Sequence, residues 1–275
     1  MTGVKRVLVI VAHADDMEFM AGGTIGKMAS LGYEVREVIA TNNERGTLDP
    51  NWDTRFTAET RREEARRGAQ VLGINSDVEF LGYEDGRLTE TPLNELRERC
   101  IRAIRRHRPD VMFTWDPWAP YEEHGDHRSI GLAATEAASF AHFPLYHPEH
   151  RDEGLEPHYV GERYFFAKSP RDVNKTVDIS GFIDRKVDAL CEHVCQMEMT
   201  VVDAQAALAA SGLDVPFLRE ADAKDYRPVI EAQIKAWAAS VGKRAGFAYG
   251  EEFRRTRFGG VERWGQGGES LPDDV

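Results

Sequence analysis

Two short clusters combine histidine with carboxylate side chains at a spacing that suits cation binding. The first, residues 13–16, reads His-Ala-Asp-Asp, and the second, residues 124–127, reads His-Gly-Asp-His. A histidine and an aspartate three residues apart can reach one ion, because both ligand types bind zinc at about 2.0–2.2 Å. The first cluster by itself leaves another interpretation open, since Asp15 and Asp16 could simply cap the helix that follows.

The position of the second cluster favours metal chemistry. Each cluster follows a segment typical of a buried strand, Val7–Ala12 in one case and Asp110–Trp115 in the other. The carboxyl ends of parallel strands meet at one edge of a sheet, where ligands bind. His124 or His127 can therefore supply a third ligand, and a catalytic zinc requires three from the protein. The alternative is that His124 and His127 are two exposed loop histidines, since a chain with nine histidines can place two near a site by chance.

The order of elements that must position these clusters predicts an α/β fold. The strand Val7–Ala12 is followed by a helix over Phe19–Leu31, which ends at Gly32, and by a strand over Val35–Thr41. Such a β–α–β unit closes right-handed and belongs to a layered α/β structure. The later pattern predicts helices Ala58–Leu72, Leu93–Arg106 and Ser129–Phe140, and strands Val78–Leu81, Asp110–Trp115, Arg163–Lys168 and Val177–Ile179.

We expect one Rossmann-like domain over residues 1–258, with three layers, a mostly parallel sheet and a helical C-terminal section. The pattern from Phe182 to Val241 is mostly helical and is interrupted by a loop at Gly212–Pro216. Residues 259–275 are rich in glycine and have little to bury, so we expect an extended arm or a flexible tail there.

Composition restricts the partners and the compartment. The chain has 275 residues, and 35 Lys and Arg against 47 Asp and Glu give a formal net charge of −12. This balance argues against a nucleic-acid surface, which requires a basic face. The apolar run at Val7–Ala12 is far too short to span a membrane, and no secretion signal precedes it. We therefore expect a cytoplasmic protein with no membrane span.

Two other kinds of site receive less support. Gly22 and Gly23 follow an acidic cluster and do not fit a dinucleotide fingerprint, so nucleotide binding is disfavoured. Cys191 and Cys195 lie four residues apart in a predicted helix. They could be buried small side chains, or they could form half of a soft-metal site. No second Cys/His pair stands at ligand spacing, which favours burial.

Other aromatic and histidine residues near the second cluster are expected to be structural. Aromatic faces suit sugar rings, but side chains near a strand end more often pack in the core. This applies to Trp115, Trp118, Tyr121 and Phe143. Four histidines have no acidic partner at ligand spacing, and we assign them to loops. They are His142, His147, His150 and His158.

The two clusters together resemble the LmbE/PIG-L-like family of zinc-dependent de-N-acetylases, whose motifs are usually written AHPDD and HPDH. The similarity extends over nearly the whole chain, through Arg61-x-x-Glu64-Ala65, Gly82-Tyr83-x-Asp85-Gly86, Lys186 to Gln196, and Tyr249-x-x-Glu252-Phe253. Two departures stand out, because Ala14 and Gly125 replace the prolines of the two motifs. The alanine variant resembles members that act on small glucosaminyl conjugates.

The resemblance implies a role for each matching residue. His13, Asp16 and His127 would be the zinc ligands, although such a site also accepts iron, cobalt or manganese. Asp15 would be the general base that takes a proton from the attacking water. His124 would stabilise the oxyanion or protonate the departing amine, and Asp126 would orient His124.

Arg61 and Asp85 match family positions that contact substrate hydroxyls or help shape the site. Each has a structural alternative, since Arg61 lies on a helix with several acidic residues and Asp85 could form a turn. Glu44-Arg45-Gly46, after the second strand, could line the same mouth.

The expected activity is removal of an N-acetyl group from an N-acetylglucosamine-type sugar conjugate by a zinc-dependent hydrolase. The alternatives are an amidase of a thiol-sugar conjugate, a tailoring deacetylase of a secondary metabolite, or a catalytically silent metal- or sugar-binding domain. The long connections at residues 43–57 and 142–162 would decide the substrate. The resemblance also implies a homo-oligomer.

Overall fold

A seven-stranded mixed sheet forms the centre of the protein. The computed structural model describes residues 4–166 and 171–257. The strands are β1 (Arg6–Val11), β2 (Glu34–Thr41), β3 (Glu79–Tyr83), β4 (Val111–Trp115), β5 (Glu162–Phe166), β6 (Lys175–Asp178) and β7 (Gly250–Arg257). Their order is β3-β2-β1-β4-β5-β7-β6. The pairs from β3 to β5 are parallel, whereas β7 runs antiparallel to both of its neighbours.

Helices cover both faces of this sheet. They are α1 (Asp16–Ser30), α2 (Thr54–Leu72), α3 (Leu93–His107), α4 (Gly125–Phe140), α5 (Ile183–Cys191), α6 (Val194–Ser211), α7 (Pro216–Arg219) and α8 (Arg227–Ala245). One group consists of α3 packed on α4, and another of α1 packed on α2 and α5. Successive side chains of a strand point to opposite faces, and residues 7–11 of β1 are all buried. The two groups therefore enclose the sheet, which confirms the predicted three-layer α/β fold.

Three helices begin earlier than the apolar periodicity predicts. Helix α1 begins at Asp16 rather than Phe19, α2 at Thr54 rather than Ala58, and α4 at Gly125 rather than Ser129. The ring of His124 caps α4, because its Nδ1 accepts a hydrogen bond from the backbone of Asp126 at 3.2 Å. Asp126 and His127 consequently lie in the first turn of a helix and not in a loop, so the axis of α4 fixes their direction.

Strand β7 is an element that the sequence pattern did not predict. It lies between β5 and β6, and its exposed half is rich in arginine, which hides the alternation of a half-buried strand. Its Glu251 is buried and accepts hydrogen bonds from the backbone of Gly23 at 2.9 Å and of Thr24 at 2.7 Å. Lys186 completes the cluster, donating to Glu251 at 2.6 Å and to the carbonyl of Phe19 at 2.7 Å. This ion pair joins the C-terminal section to α1.

The remaining expectations about organisation have mixed outcomes. Cys100 and Cys195 are buried and Cys191 is half-buried, as the packing interpretation expects. The arm at residues 259–275 and the end of the predicted strand at Lys168 lie outside the described residues. Among the helices that the structure describes, none combines the length and apolarity that a membrane crossing would need.

Replacing Gly131 by Ala should destabilise the protein, because α4 lies directly against β4 at this position. A Cβ atom there would stand 2.5 Å from the carbonyl oxygen of Trp115 and 3.1 Å from its carbonyl carbon. Such crowding typically lowers the free energy of unfolding by about 1–3 kcal/mol. Urea denaturation would measure the loss. Gly181→Ala is the matched control, since a Cβ there meets no atom within 4 Å. Equal stabilities of the two variants would contradict the prediction.

Candidate active site

The two clusters meet at the carboxyl ends of β1 and β4, which are neighbours in the sheet. His13 stands two residues beyond the end of β1, and Trp115 is the last residue of β4. Nδ1 of His13 lies 3.2 Å from Nε2 of His127, although the two residues are 114 positions apart. The structure therefore brings together the two clusters that the sequence singled out.

Asp16 is the third member of this group. Its Oδ1 lies 3.3 Å from Nε2 of His127, and its Oδ2 lies 3.9 Å from Nδ1 of His13. Its Oδ2 also accepts hydrogen bonds from the backbone of Ala12 and His13 and, at 2.8 Å, from the indole of Trp115. Tetrahedral zinc ligands lie about 3.3–3.6 Å apart if each is about 2.0–2.2 Å from the ion. The three side chains thus offer donor types that a divalent ion accepts, with His127 facing Oδ1 of Asp16 and His13 facing Oδ2.

The electrostatics of the site point the same way. Burial lowers the pKa of His13, but the carboxylates of Asp126 and Asp85 outweigh this effect and raise its pKa to about 10. Burial opposes the ionisation of Asp16, but His127 and His13 outweigh it and hold the pKa of Asp16 well below its ordinary value. A site that draws a proton onto a buried imidazole has an excess of negative charge that a metal cation would compensate.

Asp126 and Asp85 both contact His13. Nε2 of His13 lies 3.1 Å from Oδ1 of Asp85 and 3.3 Å from Oδ2 of Asp126. The carboxylate of Asp126 also accepts hydrogen bonds from the backbone of Gly86 at 2.7 Å and of Leu88 at 3.0 Å. This arrangement differs from the prediction that Asp126 orients His124. Asp85, expected among the substrate contacts, is buried against the same imidazole nitrogen.

His124 presents a free edge of its ring to the site. Its Nδ1 caps α4, which leaves Nε2 as the nitrogen available to a ligand. The ring stacks on His127 with centroids 4.5 Å apart and meets His13 edge-on at 4.6 Å. Nitrogen atoms of these three histidines lie within 4.8 Å of one another and form an alternative ligand set. His124 is exposed, however, whereas Asp16 is buried.

Asp15 stands at the N-terminus of α1 in a left-handed conformation with φ 89°, and its side chain makes no capping hydrogen bond. The capping interpretation is therefore wrong for Asp15. Conformations of this kind cost residues other than glycine of order 1–3 kcal/mol, and such strain clusters at active sites. Burial raises the pKa of Asp15 to about 6, although the nearby guanidinium of Arg61 opposes the shift.

The guanidinium of Arg61 lies next to Asp15 and contacts the backbone before it. Its Nη2 lies 3.7 Å from Oδ2 of Asp15 and donates to the carbonyl oxygen of Ala14 at 2.6 Å, and its Nη1 donates to Glu64 at 3.2 Å. The side chain is 1% exposed, so Arg61 is not the solvated ion pair that its acidic neighbours on the helix would suggest. It reaches the site through Asp15 and the backbone of residue 14.

The loop after β2 contacts the same region, as expected for residues 44–46. The backbone of Arg45 donates to Asp85 at 3.3 Å, and the backbone of Asp85 donates to Glu44 at 3.2 Å. This loop therefore lines the side of the site where Asp85 meets His13.

Several aromatic side chains differ from their predicted role. Trp118 and Tyr121 are 68% and 93% exposed, and Phe143 is 47% exposed, so the core-packing interpretation is wrong for these three residues. Trp115 is buried as expected, but it also stacks on the ring of His127, with centroids 3.9 Å apart and an interplanar angle of 8°.

One residue of the site was not predicted from the sequence. Glu122 lies 3.1 Å from Nδ1 of His127, and its place five residues before a candidate ligand was the available signal.

The group of histidines assigned to loops differs from its predicted environment. His150 is buried, 2.8 Å from Glu98, and Glu149 lies 3.0 Å from His147. An acidic partner is therefore present at ligand spacing, contrary to the sequence interpretation. Arg105 approaches Nδ1 of His150 at 3.2 Å, and its positive charge disfavours a second cation there.

Comparison with known proteins agrees with this site. The model of the PIG-L family, described as GlcNAc-PI de-N-acetylase, matches residues 8–138. Diacetylchitobiose deacetylase of Thermococcus kodakarensis is 35% identical over 194 residues, which cover 70% of this chain and 70% of that protein. This chain is a member of the PIG-L family. The finding confirms the resemblance seen in the sequence.

Two further similarities extend this assignment beyond the central sheet. A 1D-myo-inositol 2-acetamido-2-deoxy-alpha-D-glucopyranoside deacetylase of Rhodococcus erythropolis is 28% identical over 255 residues, covering 74% of this chain and 85% of that protein. The structure of N,N'-diacetylchitobiose deacetylase from Pyrococcus horikoshii has a TM-score of 0.75 and 30% identity. It covers 92% of this chain and 84% of that one, so the likeness includes most of the C-terminal section of this PIG-L family protein.

Proposed function

We propose that this PIG-L family protein is a metal-dependent hydrolase that removes the acetyl group from an N-acetylglucosamine-type sugar conjugate. The observation that carries the proposal is that His13, Asp16 and His127 bring ligand atoms within 3.2–3.9 Å of one another, with Asp16 facing His127 through Oδ1 and His13 through Oδ2. Asp15, whose backbone is left-handed, stands beside them. The names of the two relatives described above support the acetamido sugar as the substrate class.

The proposed metal ligands are Nδ1 of His13, the carboxylate of Asp16 and Nε2 of His127. We prefer this set to the three histidines because Asp16 is buried and is held by the indole of Trp115. Zinc is the ion proposed, and iron, cobalt and manganese suit the same donors. When bound, the metal lowers the pKa of water and polarises a carbonyl group.

The reaction that these residues support is hydrolysis of the amide. Asp15 accepts a proton from the attacking water, whose oxygen bonds to the carbonyl carbon. Nε2 of His124 donates a hydrogen bond to the oxyanion, since its Nδ1 accepts one from the backbone of Asp126. Asp15 then passes the proton to the departing nitrogen as the C–N bond breaks, so acetate and a free amine are formed. The exposed ring of His124 beside the two histidine ligands places Nε2 where a substrate can reach it.

Arg61 and Asp85 are proposed to shape the site. Arg61 holds the backbone of Ala14 and faces Asp15, which fixes the base in its left-handed conformation. Asp85 and Asp126 both face Nε2 of His13, which leaves Nδ1 for the metal. A carboxylate behind a histidine ligand fixes its tautomer in this way.

Release of primary amine from a panel of N-acetylglucosamine conjugates tests the proposal. The panel should include a thiol-sugar conjugate and an acylated secondary metabolite, and each assay should be run with added zinc and after metal removal. Amine release that is lost with the metal and restored by zinc would support the activity and rank the substrates. Tight metal binding without amine release from any member would instead favour a silent metal-binding domain.

A homo-oligomer, a cytoplasmic location and the absence of nucleic-acid partners remain predictions. The formal net charge of −12 supports the last of these, because phosphate backbones are bound by basic surfaces. Light scattering would test the oligomer, and a single monomeric peak would contradict it.

A further inference from the structure

The carboxylate of Glu122 faces the side of His127 that points away from the proposed metal. Its Oε1 lies 3.1 Å from Nδ1 of His127, and it accepts a hydrogen bond from the backbone of His124 at 3.1 Å. The side chain of Glu122 is 1% exposed. One buried oxygen therefore contacts both the ring of a proposed ligand and the backbone of His124.

This contact determines which nitrogen of His127 carries the proton. A carboxylate accepts hydrogen bonds, so the hydrogen of the neutral ring lies on Nδ1 and the lone pair lies on Nε2. Nε2 is the atom that faces Asp16 at 3.3 Å and Nδ1 of His13 at 3.2 Å. The tautomer selected by Glu122 is thus the one that binds a metal at the proposed position.

The orientation of the ring is limited from a second direction. The indole of Trp115 stacks on His127 at 3.9 Å, and its Nε1 donates to Asp16 at 2.8 Å. Stacking restricts the tilt of the imidazole, but rotation within the stacking plane is limited by what contacts the ring edge. Glu122 supplies that contact at Nδ1.

Glu122 is itself held by the backbone around it. Nη1 of Arg128 donates to the carbonyl oxygen of Glu122 at 2.7 Å and to that of Glu123 at 2.8 Å. Arg128 lies in the first turn of α4, so the acidic segment is fixed to the helix that carries His127. The backbone of Glu122 and the ring of His127 are therefore both attached to the start of α4.

We infer that Glu122 is a positioning residue that fixes the tautomer and orientation of His127 and thereby strengthens metal binding. The inference rests on the proposed function, because it takes His127 as a metal ligand. Loss of a carboxylate behind a histidine ligand typically weakens metal binding about 10–100-fold.

Zinc affinity of the metal-stripped, full-length protein, measured by competition with a chromophoric chelator, tests this inference. Glu122→Ala should bind zinc about 10–100-fold more weakly. Glu122→Gln should lose less, because its amide oxygen can still accept from Nδ1. The matched control is Glu123→Ala, which removes an exposed carboxylate from the adjacent position. The absorption spectrum of the cobalt-substituted protein provides a second readout, and it should change for Glu122→Ala and not for the control.

The outcomes separate this inference from the proposed function. Zinc affinities and cobalt spectra of both Glu122 variants equal to those of the wild type would overturn the inference while leaving the proposed function intact. A wild-type protein that binds no metal would overturn both. If Glu122→Ala fails to fold, Glu122→Met decides, because it keeps the length of the side chain without an acceptor for Nδ1. Wild-type zinc affinity together with a wild-type cobalt spectrum for that variant would then overturn the inference.

Discussion

Replacing Asp15 by Asn should lower kcat for amide hydrolysis by about 10²–10⁴-fold, the usual contribution of a general base. The amide cannot accept the proton of the attacking water, whereas its size equals that of the carboxylate. Asn also tolerates the left-handed conformation that residue 15 adopts at φ 89°. The variant should therefore keep its fold and its metal. Steady-state kinetics with the best substrate of the panel, together with metal analysis, would measure both properties.

The control for this experiment is Asp77→Asn, which changes an exposed aspartate in the connection between α2 and β3. Its kcat should equal that of the wild type. A variant at Asp15 that retains its metal and full activity would show that another group takes the proton. Loss of metal together with activity would indicate instead that Asp15 is a ligand.

Replacing Glu251 by Ala should lower the free energy of unfolding by about 3–5 kcal/mol. This is the usual cost of removing one partner of a buried ion pair, which leaves the other charge uncompensated. The side chains of Glu251 and Lys186 are 3% and 2% exposed, so the remaining ammonium would lack both solvent and a counter-ion. The backbone amides of Gly23 and Thr24 would lose their acceptor as well. Chemical denaturation followed by circular dichroism would measure the change.

A double variant distinguishes the charge from the packing. Glu251→Ala combined with Lys186→Met removes both charges, and it should recover part of the lost stability, because no buried charge remains unpaired. Glu252→Gln is the control, since Glu252 pairs with a half-exposed arginine on α8. A loss below about 1 kcal/mol for the single variant would mean that the cavity admits water to Lys186.

The sequence alone was enough to predict the central part of the fold. Val7 to Val11 form an unbroken β-branched and leucine run, and such a run is stable only when both faces of a strand are covered. On α3, Leu96, Cys100 and Ile104 recur at helical spacing, and all three are buried. These patterns are local, so the chain itself displays them.

Part of the site could also be predicted for the same reason. His13 and Asp16 are neighbours in sequence, and the second cluster follows the next parallel strand in the sheet. Because carboxyl ends of parallel strands share one edge, the meeting of His13 with His127 requires only the strand order. No detail of side-chain packing enters that argument.

The sequence alone determined that the chain is an α/β protein with a histidine and carboxylate site at one sheet edge. The tertiary structure decided which carboxylate serves which imidazole, because α4 docks so that Asp126 faces His13 and Glu122 faces His127. It also decided that Arg61 is buried behind Asp15 and that β7 enters the sheet through Glu251. The physical reason is that burying a charge is unfavourable unless it is paired, so each buried charge pairs with the group that packing places beside it. Partners such as Asp126 and His13, 113 positions apart, leave no local pattern in the sequence.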